Sequence, residues 1–378
     1  MRNLIDYRPA LRHRTGVGVW VYRLVEALAT AHADGLDITA FSSSWRDRFT
    51  TALPVSVHQI DRRVPVRLLN WMWHRREWPP VELLATGPFD VVHSPSPLLI
   101  PTSGAARLVT IHDIDFLMHP ERAGGEIRRD YPPLARAHAH RADAIVVPSR
   151  YTREQVTRRL SIPSDRVFVC PNGAPDWPLR TPPTPGGHLL FVGTIAPRKN
   201  VARLLEAYAR LREVCPVAPQ LVLAGQSAIE ADELLATLRQ PRYAGYVRYE
   251  GYVSEERLRS LYTDASAVIL PSLDEGFGIP ALEAMTMGVP LVVARRGALP
   301  DVVGDAALLV NPLDIEELSK AMQAVLNDAE LRKRLSEAGP KRARGFTWRS
   351  SANMLHKAYL FAIEHSRLAR AANNAHRH

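Results

Sequence analysis

The sequence is interrupted near its middle by a segment that excludes regular secondary structure. Six prolines and three glycines lie among the 17 positions of 171–187, a density that neither a helix nor a central strand tolerates. On both sides of it, short apolar runs alternate with helical patterns, which is typical of parallel sheets covered by helices. A chain of 378 residues also exceeds what one hydrophobic core usually supports. We therefore predict an α/β protein of two doubly wound domains joined by a linker.

The apolar runs give the expected strands. In the first half they lie at 3–7, 38–41, 55–60, 90–93, 107–111, 144–147 and 167–170. In the second half they lie at 189–192, 220–224, 247–250, 267–270 and 291–293. The predicted organisation is a first domain over 1–175, a linker over 176–187, a second domain over 188–347 and a last helical segment over 348–378.

Composition narrows the class of protein. The pI of 9.8 is high, but all except five of the basic residues are arginines spread along the chain, so we expect no nucleic-acid partner. Two cysteines are too few for a disulfide framework or a cysteine metal site. No apolar stretch approaches the ~18 residues of a membrane span, and the first residues do not resemble a signal peptide. A cytoplasmic protein is the expectation.

The run from Glu275 to Glu283 places two carboxylates eight residues apart across a glycine turn. The preceding residues, 267–271, form a short apolar run of buried-strand type, and 281–287 are good helix formers. Pro280 suits a first helical turn. The order is therefore strand, loop and helix, and in open α/β sheets such loops bind ligands.

The residue types in this run suit a sugar nucleotide. Gly276 and Gly278 allow close approach of the backbone. Glu275 would lie in the loop facing a ligand, and Glu283 about one turn into the helix, where a carboxylate can accept two hydroxyl hydrogen bonds from a ribose. The alternative is two solvated surface charges beside a plain turn. The agreement of turn, proline and strand favours the site.

This run resembles the E-x7-E element of retaining GT-B glycosyltransferases of family GT4, and the resemblance extends over almost the whole chain. It implies two Rossmann-like domains facing across a cleft. The first would bind the acceptor, the second would bind the nucleotide sugar, and the last helix would cross back to the first. It also implies that Glu275 bonds hydroxyls of the transferred sugar, with backbone N–H groups offered by Phe277 and Gly278.

The run 190–200 is similar to the first strand and loop of the donor domain in this family. By that resemblance Arg198 and Lys199 hold the nucleotide diphosphate. The chemistry agrees, because two cations can neutralise a departing diphosphate without a metal. A surface position for Arg198 is the alternative when that residue is taken alone.

Residues of the first half are assigned by resemblance. The glycine loop Thr15-Gly16-Val17-Gly18 is similar to the loop that faces the sugar and phosphates, with a plain turn as the alternative. His112 resembles the histidine near the transferred sugar, with a structural histidine as the alternative. Asp113 and Asp115 spell a D-x-D metal signature, but they are better explained as a helix cap or a solvated face. We predict no metal site.

The function implied is metal-independent, retaining transfer of a hexose to a glycan or lipid-linked acceptor in cell-surface polysaccharide synthesis. GDP-mannose is the preferred donor and UDP-glucose the next, with no separate cofactor. Two other classes remain open. One is a sugar-phosphate synthase or nucleotide-sugar hydrolase on the same fold, and the other is a non-catalytic protein that binds nucleotide, glycan or RNA.

The segment 62–78 interleaves five arginines with Trp71, Trp73 and Trp78. This pattern is typical of an interfacial helix at anionic lipid, which would give peripheral contact with the inner face of the cell membrane. The alternative is a core helix, because similar family members carry an aromatic helix here that packs the first domain.

Overall fold

The computed structural model describes residues 1–12, 16–32, 35–49, 53–120, 125–181, 187–228 and 231–375. The chain divides into two units, of which the first combines Met1–Gly173 with Thr347–His378 and the second is Ala174–Phe346. The described residues of the predicted linker, 176–181 and 187, lie in the second unit. Residues 182–186 of that linker are outside the described residues.

In the described part of the first unit, seven parallel strands form one sheet in the order β3-β2-β1-β4-β5-β6-β7. The strands are β1 (Arg2–Asp6), β2 (Asp37–Ser42), β3 (Val57–Asp61), β4 (Val91–Ser94), β5 (Ala106–Thr110), β6 (Ala144–Val147) and β7 (Val167–Val169). The strand order reverses between β1 and β4, which therefore form the switch point of this sheet.

The helices described between these strands are α1 (Arg8–Arg12), α2 (Val17–Ala31), α3 (Val66–Arg76), α4 (Val81–Ala85), α5 (Asp115–Met118), α6 (Gly125–Arg141) and α7 (Arg150–Arg159). α2 follows β1 and buries Trp20, Val21, Leu24 and Leu28. This spacing of three and four residues places the apolar side chains on one helical face, which packs into the core.

In the described part of the second unit, six parallel strands follow the same plan in the order β10-β9-β8-β11-β12-β13. They are β8 (His188–Val192), β9 (Leu221–Ala224), β10 (Val247–Gly251), β11 (Ala265–Leu270), β12 (Leu291–Ala294) and β13 (Leu308–Val310). β8 and β11 are adjacent at the point where the strand order reverses. The loops that leave their carboxyl ends therefore meet where such sheets bind ligands.

The helices described in this unit are α8 (Val201–Val214), α9 (Asp232–Thr237), α10 (Glu255–Asp264), α11 (Ile279–Met287), α12 (Leu299–Val303), α13 (Ile315–Asn327) and α14 (Ala329–Ala343). α8 buries Leu204, Leu205, Tyr208 and Leu211, again at helical spacing. The last helix, α15 (Trp348–Ala375), belongs to the first unit and packs on α2 through Leu355, Tyr359 and neighbouring alanines.

The strands lie close to the positions expected from the sequence, with two differences. β3 begins at Val57, and Val55, which was expected to open it, is fully exposed. β13 was not predicted. It has three residues and pairs only with β12 among the described strands, and so short an apolar run carries little periodic signal.

Candidate active site

The carboxyl ends of β8 and β11 bring two loops together. The loop after β8 forms a short 3-10 turn, Pro197–Lys199, and the loop after β11 runs from Pro271 to the start of α11. The backbone N–H of Leu273 donates to the carbonyl oxygen of Arg198 at 2.7 Å. The two loops are therefore held together by the main chain.

The side chain of Asn200 holds these loops in place by hydrogen bonds. The sequence did not indicate this role. Its backbone is left-handed, with φ of 59°, a conformation that asparagine adopts more readily than most residues. Its buried side-chain amide donates to the carbonyl oxygens of Pro271 at 3.1 Å and Pro312 at 2.7 Å. One side chain thus ties three connections at this edge of the sheet. The sequence signal that could have indicated this role is an asparagine between the basic pair and the start of α8.

The predicted residues Arg198, Lys199 and Glu275 converge across these loops. Lys199 Nζ lies 2.5 Å from Glu275 Oε2, and Arg198 Nη1 lies 3.5 Å from the same oxygen. Burial opposes ionisation of Glu275, but the positive charges of Lys199 and Arg198, with hydrogen bonds from Lys199 and Ser272, outweigh it and hold the pKa of Glu275 below its usual value. Glu275 is therefore a carboxylate at neutral pH and orients the two cations.

Two glycines allow the close approach of segments around Glu275. Gly278 has φ of 97° and precedes α11, and a Cβ there would come within 2.6 Å of Leu299. Gly297 has φ of 63°, and its Cβ would lie 2.7 Å from the backbone of Glu275. Larger residues would be strained at both positions. The ring of the predicted residue Phe277 is buried edge-on against Phe346, which anchors the loop.

Glu283 lies about one turn into α11, as predicted, and has a partner that the sequence did not indicate. The hydroxyl of buried Tyr262, on α10, donates to Glu283 Oε2 at 2.7 Å and lies 3.3 Å from the carbonyl oxygen of Pro280. Burial raises the pKa of Glu283 to about 7, although the bond from Tyr262 lowers it, and the charge of Glu255 raises it further. Glu283 therefore changes charge near neutral pH.

Tyr262 is held by its own neighbours. Its ring lies 5.8 Å from that of Trp177, whose Nε1 donates to Glu255 at 3.4 Å. Burial, and then the adjacent carboxylate of Glu283, raise the pKa of Tyr262 far above its usual value, so the hydroxyl remains a donor. The two residues are 21 positions apart, and no local pattern pairs them.

The predicted residues of the first unit also lie together within that unit. Gly16 has φ of 53° and precedes α2, in which Gly18 is buried. Trp20, on the same helix, places its ring edge-on to His112 with centroids 5.1 Å apart. Thr15, which was part of the predicted glycine loop, lies outside the described residues. The glycine loop and the histidine are therefore joined through one tryptophan.

His112 follows β5 and is neutral at physiological pH. Its Nε2 lies 3.3 Å from the carbonyl oxygen of Pro95. Burial lowers the pKa of His112 to about 4, despite the nearby charge of Asp113 and the contact with Pro95. A neutral imidazole can accept or donate one hydrogen bond at each nitrogen but carries no charge.

A second buried histidine, His93 on β4, supports this region. Its Nε2 lies 2.8 Å from Thr110 Oγ1, and its Nδ1 lies 3.0 Å from the hydroxyl of Tyr359 on α15. Burial, and then the neighbouring His112, lower the pKa of His93 to about 3. His93 lies inside an apolar strand, where no sequence pattern marks it as a candidate site residue.

The D-x-D pair has a structural contact. The Asp113 carboxylate accepts the backbone N–H of Asp115 at 3.2 Å, as expected of a side chain that closes a turn before a short helix. Within the ranges that the structure describes, no three His, Cys, Asp or Glu side chains are grouped so as to hold a metal ion.

The segment 62–78 contains α3 and has two different faces. Leu69 and Trp73 are buried in the core of the first unit, as the core-helix alternative expected. Trp71 and Trp78 are more than half exposed. Considering only the residues described, no helix is long and apolar enough to cross a bilayer.

These features define an α/β protein of two parallel sheets, one of which brings two cations and two carboxylates to its switch point. Models of two families match the chain, that of the glycosyl transferases group 1 over residues 182–342 and that of glycosyltransferase family 4 over residues 14–176. The chain is 31% identical to the O-antigen chain mannosyltransferase B of Escherichia coli over 281 residues, 71% of this chain and 74% of that protein. It therefore belongs to the group 1 glycosyltransferases, which confirms the family resemblance.

Other similarities bear on one half of the chain or on the fold. The chain is 38% identical to the MMP alpha-(1->4)-mannosyltransferase of Mycolicibacterium hassiacum over 171 residues, 44% of this chain and 41% of that protein. The solved structure of the sucrose-phosphate synthase of Thermosynechococcus elongatus matches this chain with a TM-score of 0.74 at 20% sequence identity. The match covers 99% of this chain and 99% of that chain. That likeness confirms the predicted GT-B fold.

Proposed function

We propose that this glycosyltransferase moves a hexose from a nucleotide sugar to a glycan or lipid-linked acceptor in cell-surface polysaccharide synthesis. Mannose from GDP-mannose is the first candidate, and glucose from UDP-glucose is the second. The names of two relatives, both mannosyltransferases, support the first. The inner face of the cell membrane is the site of action that fits a lipid-linked acceptor.

The single observation that carries the proposal is the convergence of Arg198, Lys199 and Glu275 from the ends of adjacent strands β8 and β11. The adjacent pair Arg198 and Lys199 comes from one loop and Glu275 from the other, and Lys199 and Glu275 are 76 positions apart in sequence. A cation pair held by a carboxylate at a switch point suits a ligand with both phosphate charges and hydroxyl groups.

In the proposed reaction the bond between the anomeric carbon and the diphosphate oxygen breaks. An acceptor hydroxyl oxygen bonds to the same carbon on the same face, and its proton passes to the departing diphosphate. Arg198 and Lys199 stabilise the charge that develops on the leaving group without a metal. Front-face displacement accounts for retention of configuration with no protein nucleophile.

The other residues receive binding roles in this proposal. Glu275 accepts hydrogen bonds from hydroxyls of the transferred sugar, and the backbone N–H groups of Phe277 and Gly278 face the donor. Glu283 accepts hydrogen bonds from the ribose, with one of its oxygens held by Tyr262. On the first unit, His112 is assigned to the transferred sugar, and the loop of Gly16 and Gly18 to its phosphates.

Radiolabelled sugar nucleotides test the proposal. The full chain is incubated with GDP-mannose or UDP-glucose, in each case with membrane extract, with a soluble sugar phosphate or with buffer alone. We expect label from GDP-mannose to enter the extractable lipid or polymer fraction only when the extract is present. A variant with Arg198→Ala and Lys199→Ala is the matched control for contaminating enzymes.

Each other result contradicts a defined part of the proposal. Transfer to the sugar phosphate indicates a synthase, and release of free sugar in buffer indicates a hydrolase. Binding of the nucleotide without turnover under any condition indicates a non-catalytic protein. An inverted anomeric configuration in the product, read by nuclear magnetic resonance, excludes the retaining reaction.

A further inference from the structure

We propose that the outer face of α3, together with Arg62, Arg63 and Trp78, docks on the surface of an anionic lipid bilayer. This face is called the α3 surface below. It is separate from the candidate site residues and does not depend on the donor or the reaction proposed above.

The inner face of α3 is fully used in the fold. Leu69 and Trp73 are each about 1% exposed. Trp73 donates its indole N–H to the carbonyl oxygen of Pro79 at 2.9 Å, and the guanidinium of Arg8 lies over its ring. Arg8 also donates to Asn70 at 2.9 Å. These contacts anchor the helix through its inner face.

The outer face carries large apolar side chains that packing does not explain. Arg67, Leu68, Trp71 and Arg75 lie within an arc of roughly 100° around the helix, opposite the buried residues. Leu68 is 49% exposed and Trp71 is 55% exposed. Trp78, just beyond the end of the helix, is 56% exposed. Tryptophan has an apolar ring and a polar N–H, a combination suited to the boundary between lipid and water.

The charge of the α3 surface selects an anionic partner. The segment 62–78 contains five arginines, all exposed, at positions 62, 63, 67, 75 and 76. Its only acidic residue, Glu77, forms a two-point ion pair with Arg141, at 2.5 and 2.7 Å. The acid that precedes the segment, Asp61, is paired with Arg48. The segment itself therefore contains five arginines against one glutamate, which gives it a net positive charge.

The shape of this surface favours a bilayer over a folded partner. The exposed apolar side chains stand on the outer face of a helix and just beyond its end. A bilayer can accept separate side chains at the headgroup level, with arginines at the phosphates and tryptophans below them. Polybasic segments of this kind bind anionic leaflets in a salt-dependent way.

Vesicle sedimentation with the full chain tests the proposal. The vesicles are phosphatidylcholine alone, and phosphatidylcholine mixed with phosphatidylglycerol. We expect the protein to sediment with the mixed vesicles and to be released as salt is raised. Trp71→Ser with Trp78→Ser should weaken partitioning by about tenfold or more, which is about 1.4 kcal/mol. Arg63→Gln with Arg67→Gln should weaken it too and should reduce its dependence on salt.

A control variant changes one exposed apolar residue and two exposed basic residues of the second unit. Val217→Ser, Lys333→Gln and Arg334→Gln replace exposed residues and should leave vesicle binding unchanged. Circular dichroism checks that every variant is folded. The arginine variant alters no apolar residue, so it remains informative if the tryptophan variant does not fold.

Several outcomes would overturn the proposal. The proposal fails if the wild-type protein does not sediment with the mixed vesicles or sediments equally with neutral vesicles. It also fails if the α3 variants bind the mixed vesicles as tightly as the control variant does. Self-association without lipid that is lost in the tryptophan variant would assign the surface to a second copy of the chain. Nucleoside diphosphate affinity, measured in parallel, reports on the second unit, so failure of one proposal is distinguishable from failure of the other.

Discussion

The two sheets share one strand order over six strands but differ in chemistry at their carboxyl ends. In the second unit, Lys199 and Glu275 form an ion pair, and the pKa of Glu275 is held low, so both groups are charged at neutral pH. In the first unit, His93 and His112 are buried, with pKa values lowered to about 3 and about 4, so both are neutral. The two histidines at the carboxyl edge of the first sheet are thus neutral, whereas the lysine and glutamate at the same edge of the second sheet form an ion pair.

The difference indicates which ligand each edge can recognise. A charged edge stabilises a diphosphate, whose charge increases as the sugar departs. A neutral imidazole beside Trp20 suits sugar hydroxyls, which need hydrogen bonds and apolar contact but no counter-charge. The roles proposed for the two edges therefore rest on local burial and pairing, because the fold that the two units share does not specify them.

The largest expected effect is the removal of the cations. Arg198→Ala with Lys199→Ala should lower the transfer rate by more than the loss of one oxyanion donor, which typically costs about 2.7–4 kcal/mol. Initial rates under saturating donor measure it. Lys333→Ala with Arg334→Ala, on the exposed side of α14, is the control. Activity retained within about tenfold, or about 1.4 kcal/mol, would falsify the assignment.

The next effect separates the two carboxylates of the charged edge. Glu283→Gln should weaken binding of the free nucleoside diphosphate by about 1.5–3 kcal/mol, because a charged acceptor for the ribose is lost. Glu275→Gln should leave that affinity intact or raise it, since Lys199 is released from its carboxylate partner. It should lower turnover instead, because its sugar contact strengthens in the transition state. Calorimetry and initial rates measure the two quantities.

Equal effects of the two glutamate variants on affinity and on turnover would rule out this division of roles. Changes within about 0.5 kcal/mol for both variants are what two surface glutamates would give. His112→Ala sharpens the comparison from the other unit. It should lower turnover while leaving nucleoside diphosphate affinity unchanged, because the neutral imidazole is assigned to the transferred sugar and carries no charge for the phosphates.

A smaller effect is the pH dependence caused by Glu283. Its pKa is raised to about 7, so nucleoside diphosphate affinity should rise with pH through about 7 as the ribose acceptor becomes charged. Tyr262→Phe removes the bond that lowers this pKa, so the midpoint should move upward. Calorimetry across pH measures both. Glu283→Gln is the reference, because it retains the titration of the diphosphate itself, and a midpoint shared by all three proteins would exclude this role of Glu283.

The same raised pKa has a consequence for folding stability with a defined sign. The pKa of Glu283 is raised from its ordinary value of 4.5 to about 7 in the folded state. Between these two pH values Glu283 binds more protons in the folded state than in the unfolded state. Its contribution to the free energy of unfolding is therefore complete at lower pH and is lost as pH rises through that window. Glu283→Gln should flatten the stability profile there, as measured by urea denaturation. A profile identical to that of the wild type would contradict the assignment.

The smallest expected effect is that of chelation. Transfer should be unchanged in excess EDTA, because Arg198 and Lys199 are proposed to supply the positive charge. Initial rates with and without chelator measure this. Complete loss that manganese or magnesium restores would contradict it and would make Asp113 and Asp115 candidate ligands.

Much of the fold could be predicted because its signals are local. Apolar runs placed the strands to within a few residues, and the element from β11 through the glycine turn to α11 was expected from residue types alone. β13 could not be predicted, since three residues of an edge strand do not make a periodic pattern. Only the structure could show that α3 has one buried face and one exposed face. Trp71 and Trp73 are the same residue type, but Trp71 is exposed and Trp73 is buried.

The sequence by itself determined where the strands, turns and candidate site residues lie, because periodicity, glycine and proline chemistry, and the E-x7-E spacing act over a few neighbouring residues. Only the tertiary structure decided how those residues are paired and charged. Lys199 meets Glu275 from 76 positions away, and Tyr262 meets Glu283 from 21. Burial and such contacts set the protonation of a side chain, and both arise only when distant segments of the chain pack together.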